Sequence, residues 1–417
     1  MSASKIFITD AIKYFPIKVM PGFSAIFTIF FLTKKSLLDT ASYVNYTFII
    51  AALLIISQIS GGWVNSSVMY YQSSFDNTND KKKFVVHISY LQFIFMVLGG
   101  IILFLIILFT LKSLLIALFI MLILFFQIFL NFNYSFFQAK RQIKDQAAAT
   151  FIQAFLQILG VLICYYFFKG SLVYFFFFLV LSYLMPIFYL FFMKKNHFHF
   201  RITDSFSMKY SKEILSYGLP ICLWFFSTQL YQIGDRLLFK YFDLTKNVGN
   251  YVSFRDLSVG LSGFVAMPLL FASHPIIMQL SKNVANKNQI ENLLRKNIFI
   301  LTGIFVPITI IIFFYGEFLI KYIVGEKYLL SPILMVVVLC TILLSVVSIY
   351  LQKGVETEGK TFLMLKISVI VALVSFLLNF IFIRDYGVVS AIYISLSCHL
   401  LYCIAIYFYS RKIFKIF

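Results

Sequence analysis

Long apolar stretches alternate with short polar gaps along the whole chain. Each stretch has about 20 or more residues, which is the length that a helix needs to cross the hydrocarbon core of a bilayer. Strands that cross a membrane would give segments of about ten residues with alternating polarity, and stretches such as YFFFFLVLSYLMPIFYLFFM do not alternate. The pattern predicts an all-α polytopic membrane protein with twelve spans, near residues 12–33, 42–64, 84–110, 113–137, 146–168, 172–193, 213–240, 248–276, 297–316, 329–351, 361–383 and 388–410.

The composition agrees with this prediction. Of the 417 residues, 61% are hydrophobic and only 12% are charged, whereas soluble domains average about 25% charged residues. A formal net charge of +19 would suggest a nucleic-acid partner in a soluble chain. Because the cations occupy the polar gaps between apolar stretches, we interpret them as orientation signals and expect no nucleic-acid partner.

Lys and Arg residues divide unevenly between alternate gaps. Every second gap, counted from the N-terminus and including both ends of the chain, belongs to a set that holds 22 of them. The gaps between these hold 9. Cytoplasmic loops carry the excess of Lys and Arg, so we expect both termini in the cytoplasm, as an even number of spans requires. The intervening gaps, which we expect on the outer side, contain Lys34, Lys35, Lys112, Lys169, Lys240, Lys246, Lys321, Lys327 and Arg384.

The two halves of the chain are similar to each other. Asn45-Tyr46 recurs as Asn250-Tyr251, and a proline precedes each pair by 29 or 30 residues. Each half begins in the cytoplasm, so the repeat is parallel, and parallel repeats are typical of transporters whose halves rock around a site at their interface. The sequence therefore predicts two pseudo-symmetric six-helix bundles around a central cavity, residues 1–200 and residues 201–417.

Three features carry a resemblance to a known family. The seventh span ends in GDRLLFKYF and is followed by VGNYVSF, the eleventh span exits as LLNFIFIRDYGVVSAIYISL, and the twelve spans enclose no large domain. The chain resembles the Wzx-type flippases of O-antigen and capsule repeat units, in the multidrug/oligosaccharidyl-lipid/polysaccharide exporter superfamily. It departs from the usual pattern in the first hairpin, which reads LDTASYVNY without the Tyr-Gly often found there.

The resemblance implies a function in polysaccharide biosynthesis. It implies translocation of undecaprenyl-diphosphate-linked oligosaccharide repeat units, such as those of the O-antigen of lipopolysaccharide, from the cytoplasmic to the outer leaflet of the bacterial inner membrane by alternating access. The implied partners are this polyprenyl-diphosphate-linked oligosaccharide, membrane lipids, a polysaccharide polymerase and a chain-length regulator.

The sequence contains no Walker motif, no dinucleotide fingerprint and no paired metal carboxylates. We therefore expect no cofactor and no metal. An H⁺ or Na⁺ gradient, or the gradient of the substrate itself, would then supply the energy for transport.

Two alternatives stay open. A cation-coupled exporter of drugs or lipid II from the same superfamily would keep acidic residues deep in its spans, whereas here the deep charges balance or favour positive. A membrane glycan polymerase or ligase would need a sizeable outer loop for its catalytic residues, and the longest outer gap, around YGEFLIKYIVGEKYLLS, has an ordinary length. We therefore expect a transporter without catalytic residues rather than an enzyme.

Four charges lie deep in the hairpin of the seventh and eighth spans. Counted from the centre of the turn, Asp235 has the depth of Asp256 and Arg236 that of Arg255, about 10 Å below the outer edge. One interpretation is mutual neutralisation, Asp235 with Arg255 and Arg236 with Asp256. The other aims an Arg into the cavity, because a guanidinium fork suits a diphosphate better than an ammonium does. Lys18 in the first span either extends to the cytoplasmic interface or adds to a cationic cavity.

Neutral polar side chains repeat along single faces of several spans, at offsets of three, four and seven residues. They either form hydrogen bonds between helices or line a shared aqueous cavity, which we favour because polar groups that face lipid are costly. Diphosphate is common to all lipid-linked glycans, so we expect these neutral groups to discriminate between sugars. The candidates for substrate binding are Gln127, Asn131 and Gln138 in the fourth span, and Gln229 and Gln232 in the seventh.

Overall fold

A computed structural model describes residues 3–72, 78–140, 142–193, 195–197, 208–244, 247–281 and 286–415. Within these ranges every regular element is a helix, as the apolar pattern predicts. The α-helices are α1 (Ala3–Leu32), α2 (Thr40–Ser57), α3 (Trp63–Gln72), α4 (Thr78–Leu111), α5 (Leu114–Ala139), α6 (Ile143–Phe167), α7 (Leu172–Phe192), α8 (Met208–Ile233), α9 (Asp235–Tyr241), α10 (Val248–Leu280), α11 (Lys287–Ile323), α12 (Pro332–Leu351), α13 (Lys353–Thr357) and α14 (Thr361–Ser410). A π-helical turn, Gln58–Gly62, joins α2 to α3.

The described helices account for the twelve predicted spans. Ten helical segments are long and apolar enough to cross a membrane. One of them, α14, has 50 residues and contains two helices that meet at the non-helical Gly387, so it supplies two spans. The helices α8 and α9 together cover the predicted seventh span, which contains more polar residues than the others. The prediction of an all-α protein with twelve spans is confirmed.

The break inside α14 depends on the backbone of Gly387. This residue has φ 57° and ψ −133°, a conformation that essentially only glycine adopts. A Cβ atom added there would contact nothing within 4 Å. The backbone conformation, and not a lack of space, therefore requires glycine between the last two spans.

Replacing Gly387 by Ala is expected to lower the free energy of unfolding by about 1–3 kcal/mol, because alanine is strained in this conformation. The matched control is Gly303→Ala in the middle of α11, where an added Cβ also contacts nothing within 4 Å. Alanine at that helical position should stabilise the protein by up to about 1 kcal/mol. Thermal unfolding of both variants in lipid nanodiscs measures the difference, and equal stabilities would contradict the backbone explanation.

Residues suited to helix starts stand at the short connections between spans. The Ser113 side chain accepts a hydrogen bond from the N–H of Ile116, and the Ser171 side chain accepts one from the N–H of Tyr174, both at 3.5 Å. Pro332 occupies the first turn of α12, where a residue without an N–H costs nothing. These helix starts can be predicted from the sequence. The two serines satisfy a backbone N–H of the first turn, and Pro332 has no N–H that needs a partner.

The contacts of the chain form two units, of which the first comprises residues 1–51 and 227–417. In this unit α1 packs along α10, and α12 packs against both α11 and α14. Gly22 of α1 lies so close to the ring of Phe264 that an added Cβ would fall 1.8 Å from a ring carbon. A larger residue at this position would therefore have to displace the Phe264 ring.

The second unit comprises residues 52–226 and includes the π-helical turn. The carbonyl of Ile59 accepts a hydrogen bond from the Cys222 thiol at 3.1 Å, and that of Ser60 accepts one from the Gln92 amide at 2.7 Å. The turn thus offers backbone acceptors to two neighbouring helices. The bundle boundary at residue 200, which we drew from the internal repeat, stays a prediction.

Candidate functional site

The seventh span is interrupted immediately before its charged residues. After Gly234, a new helix begins with Asp235. The buried carboxylate of Asp235 accepts hydrogen bonds from the N–H of Arg236 at 2.9 Å and from the hydroxyl of Tyr251 at 2.7 Å. Its Oδ1 atom lies 3.6 Å from Nη1 of Arg255. The Asp235 carboxylate therefore lies where α10 supplies both a hydroxyl and a cation.

A second ion pair joins the same two spans. The Arg236 guanidinium donates to both carboxylate oxygens of Asp256, at 3.2 Å from Nη1 to Oδ2 and through a second contact from Nη2 to Oδ1. The Arg236 side chain is 4% exposed and that of Asp256 is 32% exposed. Both pairs are those that mutual neutralisation predicts, because counting from the turn places the partners of each pair within one residue of the same depth on antiparallel helices.

A cavity of about 210 Å³ lies beside Arg255, inside the first unit. Residues of α8, α10, α12 and α14 form its walls, which are mostly aliphatic. Sites for drug-sized ligands have volumes of about 300–1,000 Å³, so this cavity suits a small polar group rather than a whole oligosaccharide. Its polar lining includes Gln232, Tyr251, Arg255, Thr341, Ser345 and His399.

The two arginines differ in their position relative to this cavity. Arg255 lines it and donates to the Tyr251 hydroxyl at 3.2 Å and to the backbone carbonyl of Gln232. Arg236 is not among the lining residues, and its Nη atoms are both held by Asp256. Arg255 is therefore the guanidinium that can meet a ligand in this cavity, while Arg236 joins two helices.

A family comparison decides the affiliation of the chain. A model of the family described as Polysaccharide biosynthesis protein matches residues 24–281, which is more than half of the sequence. The chain belongs to this family. The match includes the interrupted seventh span and both ion pairs, whereas the cavity walls contributed by α12 and α14 lie outside it.

Solved structures of transporters share the fold. A crystal structure of MATE in complex with MaL6 matches with a TM-score of 0.70 at 15% identity. An outward-facing multidrug resistance MATE family transporter of the MOP superfamily matches with a TM-score of 0.65 at 15% identity. A MOP superfamily transporter from Pyrococcus furiosus, described as having a binding pocket of reverse polarity, matches with 0.64 at 14% identity.

Each of these three matches covers 99% of this chain and 96% of the other. At such low identity the similarity shows the fold alone. Among curated proteins, none matches the chain. Family membership and the apolar helices together make this chain a multi-pass membrane protein of the polysaccharide biosynthesis family.

The structure places the predicted polar residues at different sites. Gln232 lines the cavity of the first unit, and Gln229 is half-buried on the same helix but is not among the lining residues. Gln127, Asn131 and Gln138 are half-buried on α5 in the second unit, and their role in substrate binding stays a prediction. The side chain of Lys18, a further predicted site residue, lies outside the described residues.

A second group of buried charges was not predicted. Nζ of Lys353 lies 2.6 Å from Oε2 of Glu356 and 2.6 Å from Nδ1 of His274. The other ring nitrogen of His274, Nε2, lies 3.7 Å from Oε1 of Glu356. The Lys353 and Glu356 side chains are only 3% and 5% exposed. Lys353 is one of the 22 cations that we counted in the gaps on the cytoplasmic side, but its side chain is buried, because α13 continues the tenth span toward α10. The Lys-x-x-Glu spacing was the available signal, whereas nothing in the sequence indicates His274 as their partner.

Proposed function

We propose that this protein is a flippase that moves an undecaprenyl-diphosphate-linked oligosaccharide from the cytoplasmic to the outer leaflet of the bacterial inner membrane by alternating access. The observation that supports this proposal best is the placement of Arg255, a buried cation, on a mostly apolar cavity among the spans of a member of the polysaccharide biosynthesis family. Both termini would be cytoplasmic, as the distribution of Lys and Arg indicates.

The chemistry of this substrate fits such a site. A diphosphate-sugar head group cannot cross about 30 Å of hydrocarbon unaided, while its polyprenyl tail can stay in lipid. Arg255 offers a planar guanidinium, which can form two parallel hydrogen bonds to phosphate oxygens. The small volume of the cavity fits the diphosphate and the part of the first sugar next to it, and leaves the rest of the glycan to other polar surfaces.

Asp235 serves to orient Arg255 in this proposal. Its carboxylate holds the guanidinium at 3.6 Å and the Tyr251 hydroxyl at 2.7 Å, so the cation keeps one position within the apolar walls. The pair has no net charge in the resting cavity, which limits the cost of burying Arg255. A diphosphate would add the negative charge for which the Arg255 guanidinium on the cavity wall provides hydrogen-bond donors.

We further propose coupling to an H⁺ or Na⁺ gradient rather than to a bound cofactor. A polysaccharide polymerase and a chain-length regulator would use the product. No catalytic residue is assigned, since an enzyme would need an outer loop large enough to hold its catalytic groups.

A cation-coupled drug exporter is the second candidate, because the matched transporters include a multidrug resistance protein. The charges argue against it. Organic cations need free carboxylates. The carboxylates on α9, α10 and α13 are instead each held by a basic side chain: Asp235 by Arg255, Asp256 by Arg236 and Glu356 by Lys353.

Reconstitution in proteoliposomes tests the function directly. We expect the purified protein to expose a polyprenyl-diphosphate-linked oligosaccharide, added to one leaflet, to a glycan-cleaving enzyme on the other side. Vesicles loaded with a fluorescent organic cation form the second arm. Export of the organic cation without movement of the glycan would overturn the flippase assignment in favour of a drug exporter.

Sugar specificity is expected to depend on Gln232 more than on the charges. Replacing Gln232 by Ala should change the relative export of two glycans that differ by one sugar, because a site built to hydrogen-bond a hydroxyl penalises its absence. A variant of Arg255 should lower the export of both glycans equally. The export of such a pair of glycans is measured for both variants. If the Arg255 variant changed the ratio of the two exports and Gln232→Ala did not, Gln232 would not determine sugar specificity.

A further inference from the structure

A basic pocket lies at one end of the first unit, where two distant segments of the chain meet. The connection after α1 contributes Lys34, and the end of α11 with the following turn contributes Lys321, Tyr322, Glu326 and Lys327. The pocket has a volume of about 630 Å³. It is separate from the cavity at Arg255, because the two share no lining residue.

Three ammonium groups face this pocket, and one carboxylate offsets them. Glu326 forms an ion pair with Lys321, and this hydrogen-bonded ammonium holds the pKa of the Glu326 carboxyl below its ordinary value. The carboxylate is therefore charged at neutral pH and neutralises one lysine. Lys34 and Lys327 leave the pocket with an excess of positive charge.

Lys34 is held in place rather than freely solvated. Its ammonium donates to the backbone carbonyl of Tyr322 and lies 4.4 Å from the centroid of the Tyr322 ring. Gly325 has φ 111°, and a Cβ added to it would lie 3.7 Å from Cα of Lys34. The turn after α11 thus packs directly on the connection after α1, and a cation that is already positioned loses less conformational entropy on binding a ligand.

The location of these lysines is unusual for a membrane protein. On the orientation that we propose, the pocket lies on the outer side, where Lys and Arg are scarce. Of the nine cations in the outer gaps, Lys34, Lys321 and Lys327 line this pocket, and they come from two connections that are far apart in sequence. Helix C-termini favour cations nearby, which explains Lys34 and Lys321 in part, but Lys327 lies beyond the end of α11.

We propose that this pocket binds the phosphate of a lipid head group in the outer leaflet. The inference rests on the proposed flippase function and orientation. The phosphate would belong either to the diphosphate of a glycan lipid that has just been translocated or to an anionic phospholipid. Phe318 and Tyr322, each 68% exposed, border the pocket and would contact the hydrocarbon chain of the same lipid. A translocated head group would therefore bind here before it diffuses away.

A cysteine inside the pocket provides a readout that is specific to this site. Ser36 lines the pocket and is exposed, so the full-length Ser36→Cys variant in phosphatidylcholine nanodiscs can be labelled with an impermeant maleimide. We expect polyprenyl diphosphate to slow labelling about tenfold, because charge-assisted hydrogen bonds from the lysines hold its phosphates beside the cysteine. Polyprenol, which has no phosphate, should have no effect. Phosphatidylglycerol in the nanodisc is the second ligand tested.

Matched charge variants decide whether the lysines bind the phosphate. In the Ser36→Cys background, Lys34→Gln with Lys327→Gln should abolish protection. Lys112→Gln with Lys169→Gln removes the same charge from two exposed lysines of other outer gaps and should keep protection. Lys327→Gln alone, which leaves the Lys34 contacts intact, should weaken protection and guards against a folding defect.

Each outcome has a defined meaning. If polyprenyl diphosphate protects the cysteine and phosphatidylglycerol does not, the pocket binds the glycan carrier. If both protect it, the pocket binds lipid phosphates in general. Absence of protection, or full protection in the Lys34→Gln/Lys327→Gln variant, would overturn the proposal. A protein that shows lysine-dependent protection but does not move the glycan across proteoliposomes would refute the flippase function and leave the phosphate pocket standing.

Discussion

Replacing Glu356 by Gln is expected to lower the free energy of unfolding by about 3–5 kcal/mol, because it leaves the Lys353 ammonium buried without a carboxylate. The two charged side chains are almost fully buried, and their contact is 2.6 Å long. The neutral imidazole of His274 can accept a hydrogen bond from Lys353 but cannot neutralise its charge. Unfolding by heat or by SDS titration measures the effect in the full-length protein.

The chain offers a matched control for this prediction two residues further on. Glu358 pairs with Lys360 at the start of α14, where their side chains are 38% and 60% exposed. Glu358→Gln should cost about 1 kcal/mol or less, because water solvates both charges. Lys353→Met combined with Glu356→Gln should recover much of the stability, since it removes the unpaired charge. If the buried and exposed Gln variants lost the same stability, burial would not govern this ion pair.

The spans were predictable because lipid imposes a simple length requirement on apolar stretches. The predicted spans at 361–383 and 388–410 flank Gly387, and the described backbone breaks at that residue.

Helix interruptions inside a span were harder to predict. The break at Gly234 and the π-helical turn at Gln58–Gly62 depend on packing and leave no gap in hydropathy.

The ion pairs at the seventh and eighth spans were predictable for a geometric reason. Antiparallel helices joined by a short turn have the same rise per residue, so depth follows from counting. Lys353, Glu356 and His274 could not be matched in this way, because His274 lies on α10 and the other two on α13. Which helices pack together depends on side-chain shape over the whole unit. For the same reason the sequence did not indicate that outer lysines from two connections share one pocket.

Replacing Arg255 by Lys is expected to lower glycan export about 10–100-fold while the amount of protein in the membrane stays near normal. An ammonium keeps the charge and can still pair with Asp235, but it loses the bidentate fork that suits a diphosphate. Charged hydrogen bonds of this kind are worth about 1.5–3 kcal/mol. Export from proteoliposomes, normalised to the amount of reconstituted protein, measures the effect.

Arg236 provides the comparison, because it lies on the same hairpin but does not line the cavity. Arg236→Lys should reduce protein stability, since one ammonium cannot form both contacts with Asp256, but the export per folded molecule should stay near that of the wild type.

The exchange of Asp235→Arg with Arg255→Asp adds a third test. It keeps the buried pair but moves the guanidinium to a position that does not line the cavity, so export should stay low although the charges balance. Full export by both the exchanged variant and Arg255→Lys would show that the two charges only neutralise each other. The ligand contact would then have to come from neutral groups such as Gln232, and the diphosphate would be held outside this cavity.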